Sequence, residues 1–167
     1  MRKMTEQNLR AAFAGESQAH MRYLIFSEKA EKEKKTNLAR LFKAISFAEQ
    51  VHATNHYRAL GEIRDSSKNL QEGIDGETYE VEDMYPAYKA VAELQKEQSA
   101  VRSTNYALEA EKIHEEMYKT AKQTVDQGKD IEIGDMYICD ICGYTVEGEA
   151  PAVCPVCGAK IERFKKF

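Results

Sequence analysis

Residues 104–125 read TNYALEAEKIHEEMYKTAKQTV, uninterrupted by proline or glycine. Thr104, Ala107, Leu108, Glu111, His114, Tyr118, Ala121 and Val125 recur every three or four positions, the period of an α-helix with one buried stripe. Gly128 ends the pattern, as glycine does at helix C-termini. Glu111 and His114 stand among the apolar residues of that stripe. A carboxylate is rarely buried unless it is paired or bound to a metal.

The same arrangement recurs on either side. A first helix near residues 5–34 has the stripe Leu9, Ala12, Phe13, Glu16, Ala19, Tyr23, Ser27 and Ala30, which turns Glu16 inward. A second, near 36–61, runs Leu38, Leu41, Phe42, Ile45, Glu49 and His52. A third, near 76–99, carries Glu77 and Glu80 ahead of Val81, Met84 and Tyr88, with Pro86 expected to bend it or delay its start. The glycine-rich, polar residues 61–76, GEIRDSSKNLQEGIDG, are expected as a long crossover between the second and third helices. Spacing points to an internal repeat: Glu16 precedes Glu49 by 33 positions and Glu77 precedes Glu111 by 34. Each half thus offers a lone Glu followed by Glu-x-x-His, which places a carboxylate and an imidazole on one helix face. One Glu from each of two helices plus Glu-x-x-His from each of the other two is the ligand set of a carboxylate-bridged di-metal site. Tyr23, two turns beyond Glu16 on the same stripe, reads equally as a hydrogen-bond donor to a ligand carboxylate and as an ordinary core tyrosine. His20 and His56 read as histidines satisfied by a neighbouring helix.

All four cysteines lie in the tail, as Cys139-x-x-Cys142 and Cys154-x-x-Cys157, with residues 143–153 between the pairs. Each pair is followed at once by glycine, Gly143 and Gly158, which tolerates the positive φ that turns backbone N–H groups toward sulfur. Paired C-x-x-C motifs of this kind read as a tetrahedral thiolate metal site before they read as disulfides or a redox dithiol. Zinc and a single iron fit four thiolates about equally well. The stretch KDIEIGDMYI is expected as a short strand leading into Cys139. Two domains follow: a helical di-metal bundle over 1–133 and a small cysteine module over 134–167.

Composition removes other classes. With 24 Lys and Arg against 28 Asp and Glu, the formal charge of −4 supplies no field for nucleic acid or an acidic membrane surface. The charged start MRKMTEQNLR has no apolar signal core, and no stretch approaches a membrane span. A cytoplasmic protein is the expectation.

Glu16-Ser-Gln-Ala-His-Met-Arg-Tyr23, Glu49-x-x-His52, Gly76-Glu77-x-x-Glu80, Met84-Tyr85-Pro86, Glu111-x-x-His114 and the two knuckles Cys139-x-x-Cys142-Gly143-Tyr144 and Cys154-Pro155-x-Cys157-Gly158 together resemble the rubrerythrin family over nearly the whole chain. The resemblance implies a mainly α fold, a ferritin-like four-helix bundle followed by a rubredoxin-like metal-knuckle domain. It also implies a non-haem di-iron centre and one iron held by Cys139, Cys142, Cys154 and Cys157. Glu49 and Glu111 would bridge the irons, Glu77 and His114 would hold one and Glu16 the other. Glu80 and His52 would exchange on that second iron as its oxidation state changes. Tyr23 and Tyr85 match positions that hydrogen-bond ligand carboxylates, although on an α-helical period a five-residue offset does not set Tyr85 on the face of Glu80.

The implied activity is peroxidase chemistry in defence against oxidative stress: hydrogen peroxide reduced to water, with electrons relayed through the thiolate iron from an NAD(P)H-linked reductase or a rubredoxin. The implied assembly is a homodimer or larger homo-oligomer in which one chain's cysteine module lies near the other chain's di-iron centre. Two rivals share parts of the pattern. One is a ferroxidase that handles or stores iron; the other is a zinc-ribbon scaffold, against which the lack of a basic surplus in residues 135–167 weighs.

Overall fold

The computed structural model describes all 167 residues. Helix α1 spans Lys3–Lys32, α2 Thr36–Leu60 and α3 Ser66–Tyr79. A π-helical turn, Glu80–Met84, joins α3 to α4, Tyr85–Leu94, and α5 runs over Gln98–Val125. Strands β1, Met136–Cys139, β2, Thr145–Glu147, and β3, Phe164–Lys166, form an antiparallel sheet in the order β2-β1-β3. The chain divides into two compact units, Met1–Arg64 and Asp65–Phe167.

The first unit is a helix hairpin. It turns at Glu33-Lys34-Lys35, where Lys34 takes the left-handed conformation at φ 60°. Its seam consists of small residues: Ser27, Ala30, Ala39, Ser46 and Ala53 are buried. Small side chains let the two backbones approach closely enough for side-chain hydroxyls to reach across. The Ser27 hydroxyl donates to the Ala39 carbonyl at 2.9 Å and the Ser46 hydroxyl to the His20 carbonyl at 2.9 Å. The larger apolar residues flank this seam. Leu38, Leu41 and Ile45, expected to face the interior, are exposed, as are Ile25 and Phe47. Two helices alone enclose no interior, so within this unit that stripe has nothing to bury it.

The second unit repeats the hairpin with α3 and α4 as its first arm and α5 as its second, turning through Lys96 at φ 61°. Here the expected crossover is corrected. Residues 66–76 are helical, and only 61–65 connect α2 to α3. Asp65 caps α3 by accepting the Lys68 amide at 3.0 Å. Gly73, which reads as a loop residue, lies mid-helix because a Cβ there would stand 3.2 Å from the Tyr118 ring of α5. The glycine marks close approach of two helices rather than a turn. Pro86 falls in the first turn of α4, where its missing N–H is tolerated.

The tail strand is shorter than the alternation over 129–138 implies. Residues 129–135 are irregular and β1 begins at Met136. Three short strands cannot bury a core of their own. What this module buries is chiefly sulfur: Cys139, Cys142 and Cys154 form its centre, with Tyr106 of α5, Tyr144 and Phe164 packed around them.

Candidate metal centres

In the first unit α1 contributes Glu16 and α2 contributes Glu49 and His52, and one ligand atom from each lies within 4.8 Å of the others. His52 Nδ1 is 3.2 Å from Glu49 Oε2 and 3.9 Å from Glu16 Oε1. A proton shared with Glu49 holds the Glu16 carboxyl above its usual range, with burial and the Glu49 charge adding to it. Glu49 is correspondingly lowered, by the hydrogen bonds from Glu16 and then His52. His20 stands outside the cluster: its Nδ1 donates to the Ser46 carbonyl at 2.9 Å, which ties α1 to α2. His56 adds a favourable charge to Glu16.

The second unit repeats this cluster. Glu77 of α3 meets Glu111 and His114 of α5, again with ligand atoms within 4.8 Å. Burial, the Glu111 charge and a proton shared with Glu111 push Glu77 up to about 7. Glu111 is lowered, first by the hydrogen bond from His114, whose Nδ1 lies 2.6 Å from Glu111 Oε2. The same bond raises His114. In both clusters two carboxylates are pressed together and held to one proton, an arrangement that a multivalent cation would relieve.

Glu80 lies beside this second cluster rather than within it. Its carboxyl is raised by burial first and then by Glu111. The π turn accounts for Tyr85. The Tyr85 amide donates to the Glu80 carbonyl, an i→i+5 bond, and the wider turn brings residues five apart toward one face. Tyr85 is raised by burial and next by the Glu80 charge, which places the phenol near that carboxyl. A single π turn inside a helix is frequent at functional sites, and a strict 3.6 period cannot anticipate it. The Tyr23 ring packs against Phe26 and Phe42, with centroids 6.2 Å from each.

The four cysteines converge. Cys139 Sγ lies 3.7 Å from Cys157 Sγ, and Cys142 Sγ lies 3.5 Å from Cys154 Sγ. A disulfide needs about 2.05 Å, whereas ligands about 2.3 Å from a tetrahedral metal stand about 3.8 Å apart. The sulfurs are thus spaced as edges of a metal-thiolate tetrahedron, and all four cysteines are free. Gly143 and Gly158, at φ 81° and 74°, close the knuckles. Burial pushes the Cys154 thiol up, but backbone N–H groups of Cys157 and Val156 and the neighbouring thiols outweigh it and bring it below the usual range.

The cysteine module and the Glu77/Glu111/His114 cluster lie in one compact unit of one chain. His114 Nε2 is 2.8 Å from the hydroxyl of Thr145 on β2. The module is thus hydrogen-bonded to a helix of its own chain. Thr145 has no sequence signature, since a threonine opening a short strand is unremarkable, and sequence reasoning missed it.

Hard carboxylates with imidazole in two matching clusters, beside a four-thiolate site, define a class: ferritin-like di-iron proteins that carry a rubredoxin-like domain. The chain belongs to the rubrerythrin family. The family model for rubrerythrin matches residues 7–122, and that for the rubrerythrin rubredoxin-like domain matches residues 137–165. Rubrerythrin-2 of Clostridium acetobutylicum is 45% identical over 98% of this chain and 97% of its own length. Nigerythrin of Nitratidesulfovibrio vulgaris is 34% identical over 98% and 86%. The solved structure of fully reduced, all-ferrous nigerythrin covers 98% of this chain and 86% of that one, with a TM-score of 0.57 at 32% identity. The cofactors are accordingly a Glu/His-ligated di-iron centre and a rubredoxin-like iron on four cysteines. No helix is long and apolar enough to cross a membrane.

Proposed function

We propose that this protein is a cytoplasmic peroxidase that reduces hydrogen peroxide to water with electrons passed in through its cysteine module from an NAD(P)H-linked reductase or a rubredoxin. The observation that carries this reading is the His114–Thr145 hydrogen bond, which ties the one-electron thiolate site to a ligand of the carboxylate cluster. Iron storage has no use for such an attachment, and a zinc ribbon could not conduct through it.

Glu16, Glu49, Glu77, Glu111 and His114 would hold two irons, with His52 and Glu80 as alternates on one of them, and the reduced pair would supply the two electrons that conversion of peroxide to two waters requires. The side chains suit these parts. Glu49 and Glu111, both lowered, would serve as the carboxylates shared between the two irons. His114 is fixed at both ring nitrogens, whereas His52 is 54% exposed and tethered only through Nδ1, so of the two it is the imidazole free to move. Glu80, beside the cluster, is raised first by burial and then by the Glu111 charge. Tyr85 can donate to that carboxyl once it ionises.

A homodimer completes the reading, and chain length supports it. A ferritin-like bundle uses one long crossover. The 25 residues of α2 extend about 37 Å at about 1.5 Å each, yet five connecting residues reach at most about 18 Å. That connector is too short to return along the bundle, and the stripe of Leu38, Leu41 and Ile45 is open. An open apolar stripe of this kind is what a second copy would cover in a homodimer.

Steady-state assay tests the relay. Cys139→Ser or Cys157→Ser should abolish NADH-driven peroxide turnover while sparing one stoichiometric oxidation of the chemically reduced di-iron centre. Unchanged steady-state turnover in either variant would contradict it.

A further inference from the structure

Thr145 is buried, 4% exposed, at the contact between the cysteine module and α5. Its hydroxyl has one proton to give. The hydroxyl lies 3.0 Å from the Gly143 carbonyl, which can only accept, so the proton goes there. Toward His114 the Thr145 oxygen must then act as the acceptor, and Nε2 of His114 must carry a hydrogen. Nδ1 donates to Glu111 in the metal-free protein, and a metal that takes the place of that proton would meet the lone pair of Nδ1, the nitrogen that faces the cluster. The matching histidine of the other half, His52, has no second bond of this kind.

A Cβ on Gly143 would stand 3.6 Å from the Cβ of Ala110, itself buried one turn before His114 on α5. Gly143 follows Cys142 directly in the chain. Cys142, the Gly143 carbonyl, the Thr145 hydroxyl and the His114 ring therefore form a continuous route of covalent and hydrogen bonds inside one chain.

We propose that Thr145 is a positioning residue that fixes His114 as an Nδ1 ligand and couples the four-cysteine site to it within the same chain. The coupling half of this proposal rests on the relay function above; the tautomer half does not. With iron in both sites, the four cysteines would hold the ferrous ion that gives up one electron, and Glu77, Glu111 and His114 would hold the ferric ion that takes it. No bond breaks along the route, and the electron is replaced by the reductase.

Two variants separate the roles: Thr145→Val removes the hydroxyl at nearly constant volume, and Thr145→Ser keeps it. In full-length protein loaded with zinc, nitrogen-15 NMR should show His114 bound through Nδ1 with a slowly exchanging Nε2–H in the wild type and in T145S. In T145V that proton should exchange freely. In the iron-loaded protein, reduced anaerobically and given stoichiometric peroxide, oxidation of the thiolate iron should slow about 10-fold or more in T145V, with T145S close to wild type and the thiolate-iron potential unchanged in both. An Nδ1–H tautomer in the wild type, or T145V matching the wild type in both measurements, would overturn the proposal. A wild-type protein with the stated NMR signature but no thiolate-iron response to peroxide would overturn the relay function and the coupling, leaving the tautomer assignment standing.

Discussion

Glu77 shows at a single carboxyl what the clusters demand. Its ordinary value is 4.5 and the fold pushes it to about 7, through burial, the Glu111 charge and a shared proton. A folded state that binds a proton more tightly than the unfolded chain gains stability that is full below 4.5 and lost as pH rises through about 7. His114, raised by Glu111, acts in the same direction. The metal-free protein should therefore lose thermal stability between pH 5 and 8, and Glu77→Gln should flatten that slope without abolishing it. Calorimetry of the metal-free chain decides; a midpoint that rises across this window would contradict the shared-proton geometry. At this scale Glu16, Glu49, His52, Glu77, Glu111 and His114 stood out in the sequence, because a charged residue on an apolar stripe is conspicuous. Thr145 did not, because its part depends on a contact between segments far apart in the chain.

The long helices were legible from their period, and the errors fell where one residue type serves two physical ends. Glycines 73 and 76 suggested a loop, but Gly73 is there for the Tyr118 ring. The π turn escaped a 3.6-residue template, and with it the approach of Tyr85 to Glu80. The start of α3 depends on its cap: Asp65 accepts the Lys68 amide at 3.0 Å and lies in the short connector. Asp65→Ala should cost about 1 kcal/mol of stability, read as a lower denaturant midpoint at an unchanged slope. No change in midpoint would mean that the cap does not hold the helix start.

For the molecule as a whole, the helix pairs and the cysteine module could be read from repeat spacing and C-x-x-C pairs, whereas their closure could not, because it depends on the reach of five residues. If a bundle forms from the first unit of one chain and the second unit of another, co-assembling Glu49→Ala with Glu111→Ala chains creates one site with every ligand intact. Peroxidase activity should then reappear in the mixed dimer, although each parent is inactive. Co-assembling Cys139→Ser with Glu111→Ala should restore nothing, because the module and the Glu111 cluster lie in one unit. Recovery in the second mixture and not in the first would reverse this account of the assembly.

Passage of electrons from the thiolate iron to peroxide underlies the proposed activity. Its most direct test is anaerobic: reduce the iron-loaded protein fully, add stoichiometric hydrogen peroxide, and follow the visible absorption of the ferric thiolate site. Rapid return of that colour without air is expected. Colour that returns only slowly with peroxide but quickly with oxygen would contradict it and point to an oxygen-using iron oxidase.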